Sequence, residues 1–271
     1  MRTDAVARLQ SAAGPGSRAA LAGWAAFAVM GAAQFLIPML AIGSGPRVAL
    51  NVLTVLAMAT ASVAFAAGRW GLAAAAGAAL AVGLLTVLAE GIGVATGWPF
   101  GRYEYTGVLQ PAVAGVPLLI PLAWFGLGLP AREVAARLGG GPVARVLLGS
   151  IALTAWDLFL DPQMLAEGFW TWDGGGFYRG VPATNYAGWL AVSALVMIVL
   201  ERLLPPGVRT PPGRATRPLL FLYAWMAGME TIAFLVLFGD PLVGAVGGLV
   251  MGGFAVAAWA RRPRAHTWRR P

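Results

Sequence analysis

An all-α, polytopic membrane bundle of about eight transmembrane helices, with N- and C-termini in the cytoplasm, is the architecture this chain encodes. Three observations point to it. Hydrophobic residues fill 59% of the 271 positions and charged residues only 11%, against roughly 25% charged in a soluble domain. The mean hydropathy of +0.74 leaves too little polar surface to cover a water-facing globule. The arginines, finally, segregate along the chain in a way that only an even number of spans explains.

Apolar runs bounded by Gly, Pro and Arg clusters place the spans at 21–43, 48–67, 71–96, 112–130, 143–165, 184–203, 217–238 and 241–260, each near the roughly 20 residues a membrane helix needs. The first run follows a polar segment with Arg2, Arg8 and Arg18. It is too long for a leader and no small-residue cleavage site follows it, so it reads as a span. Pro117 and Pro121 inside the fourth span predict a kinked or broken helix. In the fifth, Pro162 disfavours α geometry at Asp161 and predicts a break there, with backbone carbonyls freed toward a cavity. No internal repeat stands out. Residues 1–271 read as a single integral membrane domain, with a cytoplasmic N-terminal segment at 1–20 and a basic cytoplasmic tail at 261–271.

With the N-terminus placed in the cytoplasm, the opposite face receives only Arg47, Arg102 and Arg179 of the 19 basic residues, all of them arginine. That split is the positive-inside pattern for an even span number. The acids divide the other way: Asp4, Glu133 and Glu201 lie near cytoplasmic segments, whereas Glu90, Glu104, Asp157, Asp161, Glu167, Asp173, Glu230 and Asp240 map to the outer half or outer loops. Trp98, Tyr103, Tyr105, Trp170, Trp172, Tyr178, Tyr186 and Trp189 interleave with them on that side. An interfacial belt would explain such aromatics, but not their concentration beside carboxylates at one face.

The net charge of +8 in a membrane chain speaks of orientation rather than nucleic acid. There is no cysteine and the one histidine is His266 in the tail, so thiol catalysis, thiolate or histidine metal sites and a histidine triad within the membrane have no residues to run on. No dinucleotide fingerprint or phosphate-binding loop is present, and Gly174–Gly176 reads as a flexible outer turn. No cofactor and no metal is therefore expected. What remains for chemistry is carboxylates, aromatics and water.

Asp157 and Asp161 stand four apart and share a helix face about one turn apart. Carboxylates inside a span are costly and are functional by default, and two together repel, so one is expected to keep its proton as a general acid beside a general base. The alternative is that Asp161 caps a loop and only Asp157 is buried. Glu90 in span three and Glu230 in span seven come to a similar depth as Asp157, which suggests a shared polar chamber; separate pairing with hydroxyls, Arg102 or Arg179 is the other reading. The segment Trp98–Tyr105 offers rings that stack on a polyene, stabilise a carbocation, or merely anchor the interface.

Several ordered phrases bring a family into view. Gly101-Arg102-Tyr103-Glu104-Tyr105, Gly115–Trp124, Trp156–Met164, Glu167–Trp172 and Gly180–Trp189 together resemble the CruF-type carotenoid 1′,2′-hydratases, most closely over about residues 90–190. Gln110 before Pro111 departs from the pattern, which would have glycine. The resemblance implies a membrane enzyme of carotenoid biosynthesis, in the bacterial cell membrane, that adds water without a cofactor to the terminal C1=C2 bond of a ψ-end carotenoid. Asp157 or Asp161 would be the proton donor, with the other carboxylate, Glu90 or Glu230 holding the water. Tyr103, Glu104, Tyr105, Trp124, Trp156, Glu167, Trp170 and Trp172 would line the substrate tunnel, and Asn185 would hydrogen-bond the water. The partner implied is a lipophilic carotenoid in the membrane, with other carotenoid-pathway enzymes as further associates and no nucleic acid. A prenyltransferase or carotenoid elongase using Mg²⁺-diphosphate at the aspartates is the rival, although the outer half has only three arginines for a diphosphate. A proton-coupled transporter ranks third, since no repeated halves with matching broken spans are visible.

Overall fold

Proline opens and glycine closes several of the helices in the computed structural model, which describes residues 15–205 and 217–261. Helix α1 runs Pro15–Leu36 and ends in a 3₁₀ turn, Ile37–Met39. Helix α2 (Gly45–Trp70) has Pro46 in its first turn and stops at Gly71; α3 (Leu72–Thr96) stops at Gly97, whose φ of 78° suits a residue without Cβ. Then come α4 (Leu119–Leu138), α5 (Pro142–Ala166), α6 (Ala183–Leu203), α7 (Arg217–Ile232, running on as a π turn, Ala233–Leu237) and α8 (Pro241–Ala260). Asp240 caps α8 by accepting from the Val243 N–H at 3.3 Å. Four short strands lie in the connections: β1 (Tyr103–Tyr105), β2 (Ala112–Val113), β3 (Val116–Pro117) and β4 (Trp170–Trp172). Strand β1 pairs antiparallel with β4, and β2 with β3. The arginines at 2, 8, 209 and 214 and those beyond 261, on which the expected cytoplasmic placement of both termini largely rests, lie outside the described residues, as does His266.

The chain is an all-α polytopic membrane bundle, and among the described residues seven helices are long and apolar enough to cross a membrane. Outward stripes such as Leu80, Leu84 and Leu88 on α3 are exposed, as lipid-facing positions four apart should be. The eighth helix, α4, is the exception by composition because it carries Arg132, Glu133 and Arg137. It packs against α2, α3, α5, α6, α7 and α8 and is buried continuously from Ala123 to Ala135. A helix solvated by other helices rather than by lipid can hold those charges.

Two sequence expectations are corrected here. Span four was expected at 112–130, but residues 112–117 fold back as the β2–β3 hairpin and the helix is displaced to Leu119–Leu138. Apolar content alone cannot tell a greasy hairpin from a helix start. Pro117 therefore lies in β3, and Pro121 falls in the first turn of α4, where no intrahelical N–H is needed. The second correction concerns Pro162: α5 does not break there but continues to Ala166, so Asp161 is helical and buried rather than a loop cap.

How the bundle tolerates its internal prolines is visible in two hydrogen bonds. A proline in a helix leaves the carbonyl four residues earlier without its N–H partner. For Pro162 that carbonyl is Leu158, and the Tyr178 hydroxyl donates to it at 3.1 Å. For Pro130 it is Gly126, and the Ser62 hydroxyl donates to it at 2.6 Å. The freed carbonyls are spent on neighbouring elements, not on a cavity, and both helices stay whole.

Candidate active site

The two short strands β1 and β4 read Tyr-Glu-Tyr and Trp-Thr-Trp, and a period of two sends alternate side chains to opposite faces. In the register Tyr103 opposite Trp172 and Tyr105 opposite Trp170, all four rings turn inward, with centroids 6.0 and 5.7 Å apart across the ladder. Glu104 sits opposite Thr171 on the exposed face. It points away from the interior, so its expected place in the substrate tunnel is not what the structure shows. Phe100 tucks under this platform because Gly93 and Gly188 leave room: a Cβ there would lie 2.8 and 2.7 Å from the Phe100 ring.

Beneath the platform lies Glu90 of α3, buried at 5% exposure. Its carboxylate accepts three hydrogen bonds, from the Tyr103 hydroxyl at 2.5 Å, the Tyr105 hydroxyl at 3.0 Å and the Trp124 indole N–H at 3.0 Å. Burial first, and then the charge of Glu90, push the Tyr103 and Tyr105 hydroxyls well above the ordinary tyrosine range. Both therefore stay protonated and remain donors at any physiological pH.

Across from Glu90, α5 presents Asp157 and Asp161, both buried. They are joined by one side chain: the Asn185 amide of α6 donates to Asp157 Oδ2 at 2.8 Å and also to Asp161 Oδ2. The other Asp157 oxygen, Oδ1, is buried without a partner among the described residues, as are the indole N–H of Trp170 and the hydroxyl of Tyr186. Glu90, Asp161, Asn185, Tyr103, Tyr105, Trp124, Trp170, Trp172 and Trp189 enclose a cavity of about 40 Å³. That is room for a water or two, with the polar partners to hold it. Trp189 stacks on Trp124 at 4.0 Å. It is a wall residue beyond the expected tunnel residues, although it is among the aromatics concentrated beside the acids and closes the phrase Gly180–Trp189.

Three other expected site residues lie elsewhere. Glu230 does not join the chamber; it faces a second, larger cavity of about 210 Å³, as does Trp156. The expected convergence of Glu230 rested on span position alone, which does not fix the direction a helix face takes. Glu167 is fully committed to structure. Arg47 grips it through Nε at 3.1 Å and Nη2 at 2.9 Å, Asn51 and Gln163 donate to it, and Arg47 Nη1 also reaches the Ile37 and Leu40 carbonyls. That knot ties the end of α1 to α2 and α5 and leaves Glu167 no free oxygen for substrate. Among the described residues no three His, Cys, Asp or Glu side chains converge as a metal site.

A family described as "Carotenoid biosynthesis protein" matches residues 47–254. A curated relative, the bisanhydrobacterioruberin hydratase of Haloarcula japonica, is 39% identical over 132 residues, which cover 46% of this chain and 45% of that protein. The aligned region thus spans under half the length of the relative. No solved structure matches the chain.

Proposed function

The chain belongs to the carotenoid biosynthesis protein family, and from that premise we propose that it is a carotenoid hydratase, adding water to the terminal C1=C2 bond of a ψ-end, linear or monocyclic carotenoid. One observation carries the reading: Asp161, joined to Asp157 through Asn185, faces Glu90 across a water-sized cavity walled by aromatic rings. The substrate class is lipophilic, which suits an enzyme embedded in the cell membrane.

The chemistry maps onto these groups without a cofactor. One carboxyl of the Asp157–Asp161 pair carries a proton, since two adjacent carboxylates in a dry site do not both ionise. The C1=C2 electron pair takes that proton to form a C2–H bond and leaves a tertiary cation at C1. The faces of the surrounding Trp and Tyr rings attract the cation, and Glu90, held as an acceptor by three donors, supplies the counter-charge. The cavity water attacks C1 through oxygen and its surplus proton returns to the aspartate pair. The product is the tertiary 1-hydroxy end group and the acid is regenerated.

Two experiments test this reading. Expression in a host that makes linear or monocyclic carotenoids should yield pigment heavier by one or two waters; unchanged pigment across several ψ-end substrates overturns it. Tyr103→Phe removes one of the three donors to Glu90. A hydrogen bond to a charged group is worth about 1.5–3 kcal/mol, so kcat should fall roughly tenfold or more with KM little changed. Wild-type kcat in this variant would remove Tyr103 from the support of Glu90.

A further inference from the structure

The water-sized cavity cannot hold the chain of a polyene, which raises the question of where the rest of the substrate lies. We propose that the second cavity, about 210 Å³ in volume, binds the polyene chain next to the reacting end, and that the chain enters sideways from the bilayer between the end of α1 and the π turn of α7. This rests on the hydration reading for the identity of the occupant.

The two cavities are neighbours that share a lining side chain. Leu160 lines both, and the next residue is Asp161. The larger cavity is mostly apolar, and Met58, Met164, Met226 and Met229 supply adaptable walls that follow an elongated chain without a fixed shape. Its mouth opens where Phe35, Ile232 and Leu237 line the cavity and are yet exposed at 57%, 54% and 55%. On a membrane bundle, an opening rimmed by exposed apolar side chains faces acyl chains. The π turn, sealed by the Phe238 N–H donating to the Ala233 carbonyl at 2.8 Å, belongs to a class of helix irregularity frequent at functional sites. Here it brings Ala233, with only a methyl group, to the cavity wall.

Ala233→Trp fills this cavity, and Val236→Trp, on the same turn but 71% exposed and outside the cavity lining, is the control for folding and insertion. Two readouts are taken on protein purified in detergent. The first is retention of a linear C40 carotenoid, followed by its visible absorption. The second is turnover of that carotenoid compared with a short isoprenoid olefin bearing the same end group but no long chain. The expected result is at least a tenfold loss of carotenoid retention and of kcat/KM in Ala233→Trp, with short-olefin turnover and the Val236→Trp control unchanged. Equal losses on both substrates, or retention equal to wild type, overturn the proposal. If wild type retains the carotenoid and Ala233→Trp does not, but neither hydrates anything, the binding site stands and the hydration reading falls.

Discussion

Asp157→Asn and Asp161→Asn should each lower hydration at least about 100-fold, the scale of a lost general acid, and the double variant should be no worse than either alone. The reason is the shared amide. Asn185 donates one NH₂ group to an oxygen of each aspartate, so the two carboxyls form one proton-holding unit, and residues that act as a unit are not additive. Asparagine preserves the shape and still offers an oxygen to Asn185, but it cannot carry the transferable proton. At Asp157 the new amide would also place an NH₂ where the unpartnered Oδ1 now sits, so folding should survive. Product formation per folded molecule, with monodispersity and Tm in detergent as controls, is the measurement. Near-normal product from Asp157→Asn removes it from the mechanism. Strictly multiplicative losses in the double variant would mean two separate roles instead of one pair.

The helical membrane bundle was legible because span-length apolar runs are a property of the linear chain. Helix limits were less so wherever apolarity had two structural uses. Residues 112–117 are greasy enough for a span but form a hairpin, and α4 gains its length at the other end by carrying Arg132 and Glu133 inside protein instead of lipid. The sequence likewise flags Pro162 as a breaker, but Tyr178, the donor that rescues the Leu158 carbonyl, is remote along the chain. The same limit shaped the site. Glu90, Asp157, Asp161, Asn185, Tyr103, Tyr105 and Trp124 were all nameable from residue type and phrase. That Tyr103, Tyr105 and Trp124 donate to Glu90, instead of only lining a tunnel, depends on how helices and strands face one another. Glu230 shows the converse: span position alone placed it with the other acids, but it lines a different cavity.

Glu133→Gln should be the most destabilising conservative change in the chain, at about 3–5 kcal/mol, the cost of stripping one partner from buried charges. Glu133 is 1% exposed and takes Arg69 on one oxygen at 2.6 Å and Arg132 on the other at 2.5 Å. Arg132 continues to Glu201 at 2.8 Å, and Glu201 to Arg145 at 2.6 Å. Arg132 also donates to the Leu204 carbonyl at 2.7 Å, and Trp70, with the Arg69 guanidinium 4.2 Å from its ring centre, donates to the Pro205 carbonyl. The network therefore pins the end of α6 to α2 and α4. Losing the carboxylate leaves Arg69 buried with no acid, while Arg132 keeps Glu201. Replacing Arg69 and Glu133 together by Met and Leu removes that orphaned charge and should recover most of the loss, since apolar substitutes for a whole buried pair are often neutral. Thermal unfolding in detergent distinguishes the cases, and a wild-type Tm for Glu133→Gln would show that the pairing does not hold the bundle. Trp124 lies nine residues away on α4, about 13 Å along the axis, so hydration per folded molecule should hardly change, which separates this stabilising end of the bundle from the end that does the chemistry.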